Sequence, residues 1–159
     1  MEIPFGMKKT VLILMFALCY GLSAQTDIYR RYAKQPHVKV ASVSNFSINS
    51  KTQVDVTVIE AVDDAGWNWM MKEFSISPLQ QSQMNDLREG ADVVTFARRN
   101  RNNPSQNAPV VNEQIDVANS CYVGISYLKR TLYIFSADSE EESEAVVSLL
   151  VKKMMHSAK

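Results

Sequence analysis

Residues 121–153 decide the fold of this chain, and their sequence is CYVGISYLKRTLYIFSADSEEESEAVVSLLVKK. Side chains alternate between the two faces of a β-strand, and Cys121–Leu128 and Thr131–Ser136 both show that alternation. Lys129 and Arg130 lie between these two segments and predict a two-residue turn. The first half of the stretch therefore predicts a β-hairpin.

The predicted turn pairs Ile125 with Ile134 and Tyr127 with Leu132. One face of the hairpin is then apolar and is expected to meet the core, because it carries Cys121, Val123, Ile125, Tyr127, Leu132 and Ile134.

The opposite face of the hairpin is rich in aromatic residues. It carries Tyr122, Tyr133 and Phe135, with Gly124 opposite Phe135 in the predicted register. Together with Trp69, these aromatic side chains are the apolar residues that a single core explains least. They predict either a stacking platform for a sugar or a partner, or a sheet face that a second helix covers.

A long amphipathic helix is predicted after the hairpin, over Glu140–Lys153. Ser139 and Glu142 fit a capping box, and the glutamates at the start of the segment favour the helix dipole. The apolar stripe is expected to pack on the apolar hairpin face, so that Leu149 and Ile134 share one core. This stripe contains Ala145, Val146, Leu149, Leu150 and Met154.

The remainder of the chain predicts an irregular order of helices and strands, with no internal repeat. This order favours an α+β fold, in which a mainly antiparallel sheet of about four to five strands carries helices on one face. The predicted elements are a helix at Asp27–Gln35, strands at His37–Ile48 (with a bulge) and Thr52–Ile59, helices at Asp63–Phe74 and Ser77–Gly90, a strand at Asp92–Ala97, a polar loop at Arg98–Gln114 and a short edge strand at Ile115–Ala118.

Composition favours one ordinary globular domain. The chain has 159 residues, of which 46% are hydrophobic and 21% charged, with a formal net charge of zero. Since there is no basic excess, the sequence argues against nucleic acid as a partner.

The first 24 residues have the pattern of a secretory signal peptide. Lys8 and Lys9 precede the apolar run Val11–Leu18, and Ala24 is a small residue suited to cleavage. The apolar run is too short for a transmembrane helix. We therefore expect an exported protein, periplasmic or extracellular, whose residues 25–159 form a single domain.

The predicted signal peptide also indicates where the chain starts, where it is cleaved and whether it carries lipid. Met7 is a candidate start, and cleavage is expected before Gln25. Bulky Leu18 precedes Cys19 where a lipoprotein signal needs a small residue, which argues against lipid anchoring through Cys19.

The layout of the N-terminal third resembles small exported proteins of unknown function from Bacteroidetes. The resemblance implies an envelope location and an α+β domain, and it carries no site residues. It rests on Met7-Lys8-Lys9, Ser23-Ala24-Gln25, the opening helix with Tyr29–Ala33 and the strand Val38–Phe46.

Motifs for catalysis and for cofactors are missing from the sequence. There is no GxSxG, P-loop or dinucleotide fingerprint, and the two histidines lack the spacing of a metal site, so we expect no catalytic residues, no metal and no cofactor. Cys121 is the single cysteine of the predicted mature chain and is expected to be a small buried hydrophobic residue. Asp63 or Asp64 is expected to cap a helix.

Two hypotheses of function follow from these patterns. The first is a non-enzymatic module that binds an envelope protein or a small ligand through the aromatic face or through Arg98, Arg99 and Arg101 of the polar loop. The second is a small enzyme whose site brings Cys121 beside His37 or His156. A buried Cys121 would argue against the second hypothesis.

Overall fold

A computed structural model describes residues 27–47, 53–137 and 139–156 of the chain. The predicted signal peptide, its cleavage site and Cys19 lie outside these residues.

Four helices and seven strands make up the described fold, which confirms the α+β class. The helices are α1 (residues 27–32), α2 (Asp64–Glu73), α3 (Gln81–Arg88) and α4 (Glu140–His156), and the strands are β1 (Val38–Ser47), β2 (Gln53–Ala61), β3 (Val94–Asn100), β4 (Val110–Val111), β5 (Gln114–Ile115), β6 (Ser120–Ser126) and β7 (Thr131–Phe135). The five long strands form one antiparallel sheet in the order β1-β2-β7-β6-β3, and β4 pairs with β5 separately.

Side-chain caps begin the two longest helices. The Asp63 carboxylate accepts the Gly66 amide at 2.9 Å at the start of α2, and the Ser139 hydroxyl accepts the Glu142 amide at 3.1 Å at the start of α4. Both caps satisfy amides that a helix leaves without an intrahelical partner. Both were predicted from the sequence, and α3 alone begins later than predicted, at Gln81.

The hairpin between β6 and β7 is longer than predicted. Ile125 pairs with Leu132, so residues 127–130 form a four-residue loop instead of a two-residue turn. The Asp92 carboxylate accepts the Ser126 hydroxyl at 2.6 Å and the Leu128 amide at 2.9 Å, which holds the longer loop open. The observed pairing differs from the predicted pairing by two residues. Since side chains alternate with a period of two, every side chain stays on its predicted face of the sheet.

The prediction that α4 packs on the apolar hairpin face is wrong. That face packs against α1 and α2, through Ile28, Tyr32, Met70 and Phe74. The predicted shared core of Leu149 and Ile134 therefore does not exist, and helices lie on both faces of the sheet.

Helix α4 covers the opposite, aromatic face, which we call the α4 face. Val146 and Leu150 pack there with Val54, Val56 and Phe135. The β2 valines extend this apolar face beyond the hairpin, because Val56 pairs with Phe135 and Val58 with Tyr133. Both faces of the sheet are therefore apolar, and each needs helices packed on it to exclude water.

The predicted polar loop is largely ordered structure. Strand β3 extends to Asn100, so Arg98 and Arg99 lie in the sheet instead of in a loop. The Asn100 side chain accepts the amides of Asn102 and Asn103, which closes the turn after the strand.

Candidate functional site

The α4 face consists of successive cross-strand rows that the strand register defines. The row beneath α4 contains Val43, Val56, Phe135, Tyr122 and Arg98. The next row, which we call the aromatic row, contains Ala41, Val58, Tyr133, Gly124 and Phe96. The third, which we call the polar row, contains Lys39, Glu60, Thr131, Ser126 and Val94.

Residues in the row beneath α4 hold that helix on the sheet. The Tyr122 ring stacks on Phe135 at 5.4 Å, and the Arg98 guanidinium lies 4.0 Å from the Tyr122 ring centroid. Arg98 also donates to Glu140 at 2.7 Å, and the Tyr122 hydroxyl donates to Glu140 at 3.2 Å. Phe135 is 1% exposed. These side chains therefore anchor α4 on the sheet.

The aromatic row is only partly covered. Val58, Tyr133 and Phe96 are half-buried, and Ala41 at the end of the row is exposed. A Cβ atom on Gly124 would lie 2.4 Å from the Phe96 ring. Glycine at this position therefore lets the Phe96 ring of β3 pack directly on the backbone of β6.

Burial and nearby negative charges keep the Tyr133 phenol neutral. Burial raises the pKa of its phenol, and the negative charges of Asp92 and Glu60 raise this pKa further. The hydroxyl therefore stays protonated, as a neutral donor and acceptor, well above physiological pH. The aromatic row is an apolar surface with this neutral polar group.

Trp69 does not join the aromatic row, although both were predicted to share a surface. It lies on the opposite side of the sheet, where its ring contacts Tyr32 at 5.9 Å and Phe74 at 6.3 Å, edge to face. Trp69 is therefore a packing residue beneath α1 and α2.

The other two predicted arginines donate hydrogen bonds to groups of the same chain. Arg99 donates to the Phe74 carbonyl at 2.7 Å and to Asn107 Oδ1 at 3.1 Å. Arg101 donates to the Ala118 carbonyl at 3.2 Å. Of the seven residues predicted to bind a partner or ligand, only Tyr133 lies in the half-open aromatic row.

Phe96 and Val58 belong to the row but are not among the residues that the sequence predicts to bind a ligand or partner. The predicted hairpin register places Gly124 opposite Phe135, whereas Gly124 actually lies between Tyr133 and Phe96. The sequence contains one indication of this contact. Gly124 is a single glycine among larger residues in β6, and a glycine within a strand often marks a place where another group packs against the backbone.

Cys121 lacks the properties of a nucleophile. Its side chain is 1% exposed, and burial raises its pKa to about 12. The thiol donates to the Asn100 carbonyl at 3.5 Å. His37 instead lies beside Asp63, with Nδ1 and Oδ2 2.7 Å apart, and the side chain of His156 lies outside the described part of the chain.

The His37–Asp63 pair joins the residue before β1 to the residue that caps α2. The pKa of Asp63 is lowered, first by the Gly66 amide and then by His37. The neighbouring Asp64 pairs with Arg130. Among the described residues, no three His, Cys, Asp or Glu side chains are grouped as a metal site requires, and no helix there is long and apolar enough to cross a membrane.

We expect the native Cys121 thiol to resist alkylation at pH 8, because it is buried and protonated. The protein should also lose stability as the pH rises from 9.0 towards about 12, since the unfolded thiol loses its proton before the folded one does. Chemical denaturation of the wild type and of Cys121→Ala across this pH range measures the change. The free energy of unfolding should fall less steeply with rising pH in the variant than in the wild type. Rapid alkylation of the folded protein would contradict the buried assignment.

Comparisons with protein-family models, with curated proteins and with solved structures found no match to this chain.

Proposed function

We propose that this chain is an exported, non-enzymatic binding module that binds a partner in the cell envelope through the aromatic row. The observation that carries the proposal is the half-buried row Val58, Tyr133 and Phe96, next to a sheet row whose Val56 and Phe135 are buried beneath α4. Partly buried aromatic residues on a rigid scaffold are typical of binding surfaces.

Rigidity of the row supports this proposal. Its residues belong to five paired strands of one sheet, and Phe96 packs on Gly124. A surface that is already ordered loses little conformational entropy when it binds. The buried, protonated Cys121 favours this hypothesis over the enzyme in which Cys121 acts with a histidine.

Export is the part of the proposal that rests on sequence alone. Lys8, Lys9 and the Val11–Leu18 run support it, as does the resemblance to small exported proteins of Bacteroidetes. We expect the mature protein to begin at Gln25 or within a few residues of it, as N-terminal sequencing of the protein from the envelope will establish. A mature chain that retains Met7, or that carries lipid on Cys19, would reject this part.

Photo-crosslinking tests the binding surface directly. A benzophenone amino acid in place of Tyr133 should give a covalent adduct with one envelope protein in cells. The matched control places the same group at Val111, an exposed apolar residue of the separate β4–β5 pair. An adduct from position 111 but none from position 133 would show that the aromatic row is not the binding surface.

A further inference from the structure

Three arginine side chains lie around the turn at 100–107 and donate hydrogen bonds to uncharged oxygen atoms. Arg31 of α1 donates to Asn103 Oδ1 at 2.7 Å. Arg99 and Arg101 donate to backbone carbonyls, and Arg99 also donates to an asparagine side chain. None of the three forms an ion pair with a carboxylate among the described residues. These bonds therefore hold the guanidinium groups in place without neutralising their charges.

The three guanidinium groups surround one pair of buried side chains, Tyr32 and Cys121. Both side chains belong to the same core cluster and are 1% exposed. Arg31 precedes Tyr32 in the chain, and Arg99 is the cross-strand partner of Cys121. Burial raises the pKa of the Cys121 thiol, but the charges of Arg101 and Arg99 are close enough to oppose that rise. The positive charges therefore lie on the side of the sheet that α1 and α2 cover.

The Tyr32 hydroxyl has no hydrogen-bond partner among the described residues. Burial raises the pKa of this phenol, and the charge of Glu73 raises it further, so the hydroxyl keeps its proton and can donate it to an acceptor. Glu73 does not accept from it, and both Arg31 and the Cys121 thiol act as donors to other groups. A buried hydroxyl without a hydrogen bond is rare, because it costs free energy. This position therefore lacks an acceptor.

Charge and donor geometry indicate which acceptor fits. Of the charged side chains that affect the pKa values of Tyr32 and Cys121, Arg98 is paired with Glu140. The other three arginines and Glu73 leave a net charge of +2. A phosphate monoester carries a charge of about −1.5 to −2 at pH 7 and three acceptor oxygens. The planar fork of a guanidinium group matches phosphate oxygens, and its bonds to described protein groups use at most two of its five N–H donors.

We propose that Arg31, Arg99 and Arg101, which we call the arginine corner, bind a dianionic phosphate group together with the Tyr32 hydroxyl. The guanidinium N–H groups and the hydroxyl all donate to phosphate oxygens. Because the hydroxyl is buried and Arg31 is exposed, binding includes a movement of the Arg31 side chain. The arginine corner lies on the opposite face of the sheet from the aromatic row, so this inference is independent of the proposed function.

An NMR titration of the isotopically labelled protein tests this site, in a buffer without phosphate and at constant ionic strength. The probes are inorganic phosphate, methyl phosphate, which is a dianionic monoester, and dimethyl phosphate, which carries one charge. We expect saturable shifts of the Nε–H signals of the arginine corner with a dianionic probe, and binding of dimethyl phosphate that is weaker by about tenfold or more. Tighter binding of methyl phosphate would identify an ester as the ligand, and tighter binding of inorganic phosphate would identify the free ion.

Variants then measure what each group contributes to the affinity. Arg31→Gln should weaken binding of the dianionic probe by about tenfold or more, because it removes a charged donor. The matched control Arg88→Gln, at an exposed arginine of α3, should change it by less than about twofold. Glu73→Gln should strengthen binding by about threefold or more, since it removes the opposing charge. Tyr32→Phe should weaken binding by about threefold or more without lowering the stability of the ligand-free protein.

Three outcomes would overturn the inference: no saturable shift with any probe, equal binding of dimethyl phosphate and methyl phosphate, and equal losses in Arg31→Gln and Arg88→Gln. Unchanged binding in Tyr32→Phe would overturn the role of the hydroxyl. The wild-type titration decides the question even if a variant is poorly folded. Crosslinking from position 133 tests the aromatic row separately, so failure of one proposal is distinguishable from failure of the other.

Discussion

Replacing Leu150 with alanine will lower the free energy of unfolding by about 2 to 5 kcal/mol, because it leaves a cavity between α4 and the sheet. Leu150 is 4% exposed and packs with Val54, Val56 and Phe135. Leu149 is the matched control, since it is the same residue type in the same helix but is only half-buried. Leu149→Ala should cost about 1 kcal/mol. Chemical denaturation of the two variants gives both values.

A double-mutant cycle locates the face on which α4 packs. Leu150→Ala should couple to Phe135→Leu, because both side chains belong to one cluster. It should be additive with Ile134→Val, because Ile134 lies in the core on the other face. Coupling to Ile134 instead, or a larger loss for Leu149→Ala than for Leu150→Ala, would mean that α4 lies on the opposite face or is rotated about its axis.

Gly66→Ala will destabilise the protein by about 3 kcal/mol or more, although alanine is the better helix former by about 1 kcal/mol. A Cβ atom at Gly66 would lie 2.0 Å from the His37 carbonyl oxygen. That carbonyl also accepts the Val62 amide at 2.9 Å, so it cannot move away without loss of this bond. His37 has a φ of 67°, which already places it in a sparsely populated region of backbone conformation.

Asn68→Ala in the same helix is the control for this prediction. Asn68 is exposed, so alanine should raise the stability by up to about 0.7 kcal/mol through helix propensity alone. Equilibrium unfolding of both variants, with hydrogen exchange at the Val62 amide, gives the comparison. A Gly66→Ala protein that is more stable than wild type would show that α2 does not pack closely against His37.

Local sequence patterns determined most elements of this fold. Alternating valines in 53–59 and alternating apolar residues in 121–135 predicted β2, β6 and β7, because the period of two is a property of the strand itself. Asp63 and Ser139 predicted the starts of α2 and α4, because a cap acts within three residues of itself. These elements were sufficient to predict an α+β fold with an antiparallel sheet and a C-terminal helix.

The candidate site, in contrast, was only partly predictable. Tyr133 was selected because it lies on the face opposite the predicted core. Tyr122 and Phe135 satisfy the same criterion, but Phe135 is buried beneath α4 and the Tyr122 hydroxyl donates to Glu140 of that helix. Phe96 was assigned to a strand without a role, because its contact with Gly124 joins strands that are far apart in sequence.

Which face α4 covers was decided by the tertiary structure alone. Both hairpin faces are apolar, and the connection through 136–139 permits the helix to reach either of them. The choice depends on α1 and α2, which bring Tyr32, Met70 and Phe74 onto one face from distant parts of the chain. Only the summed burial of all the helices on both faces favours one arrangement, and no local pattern encodes such a sum.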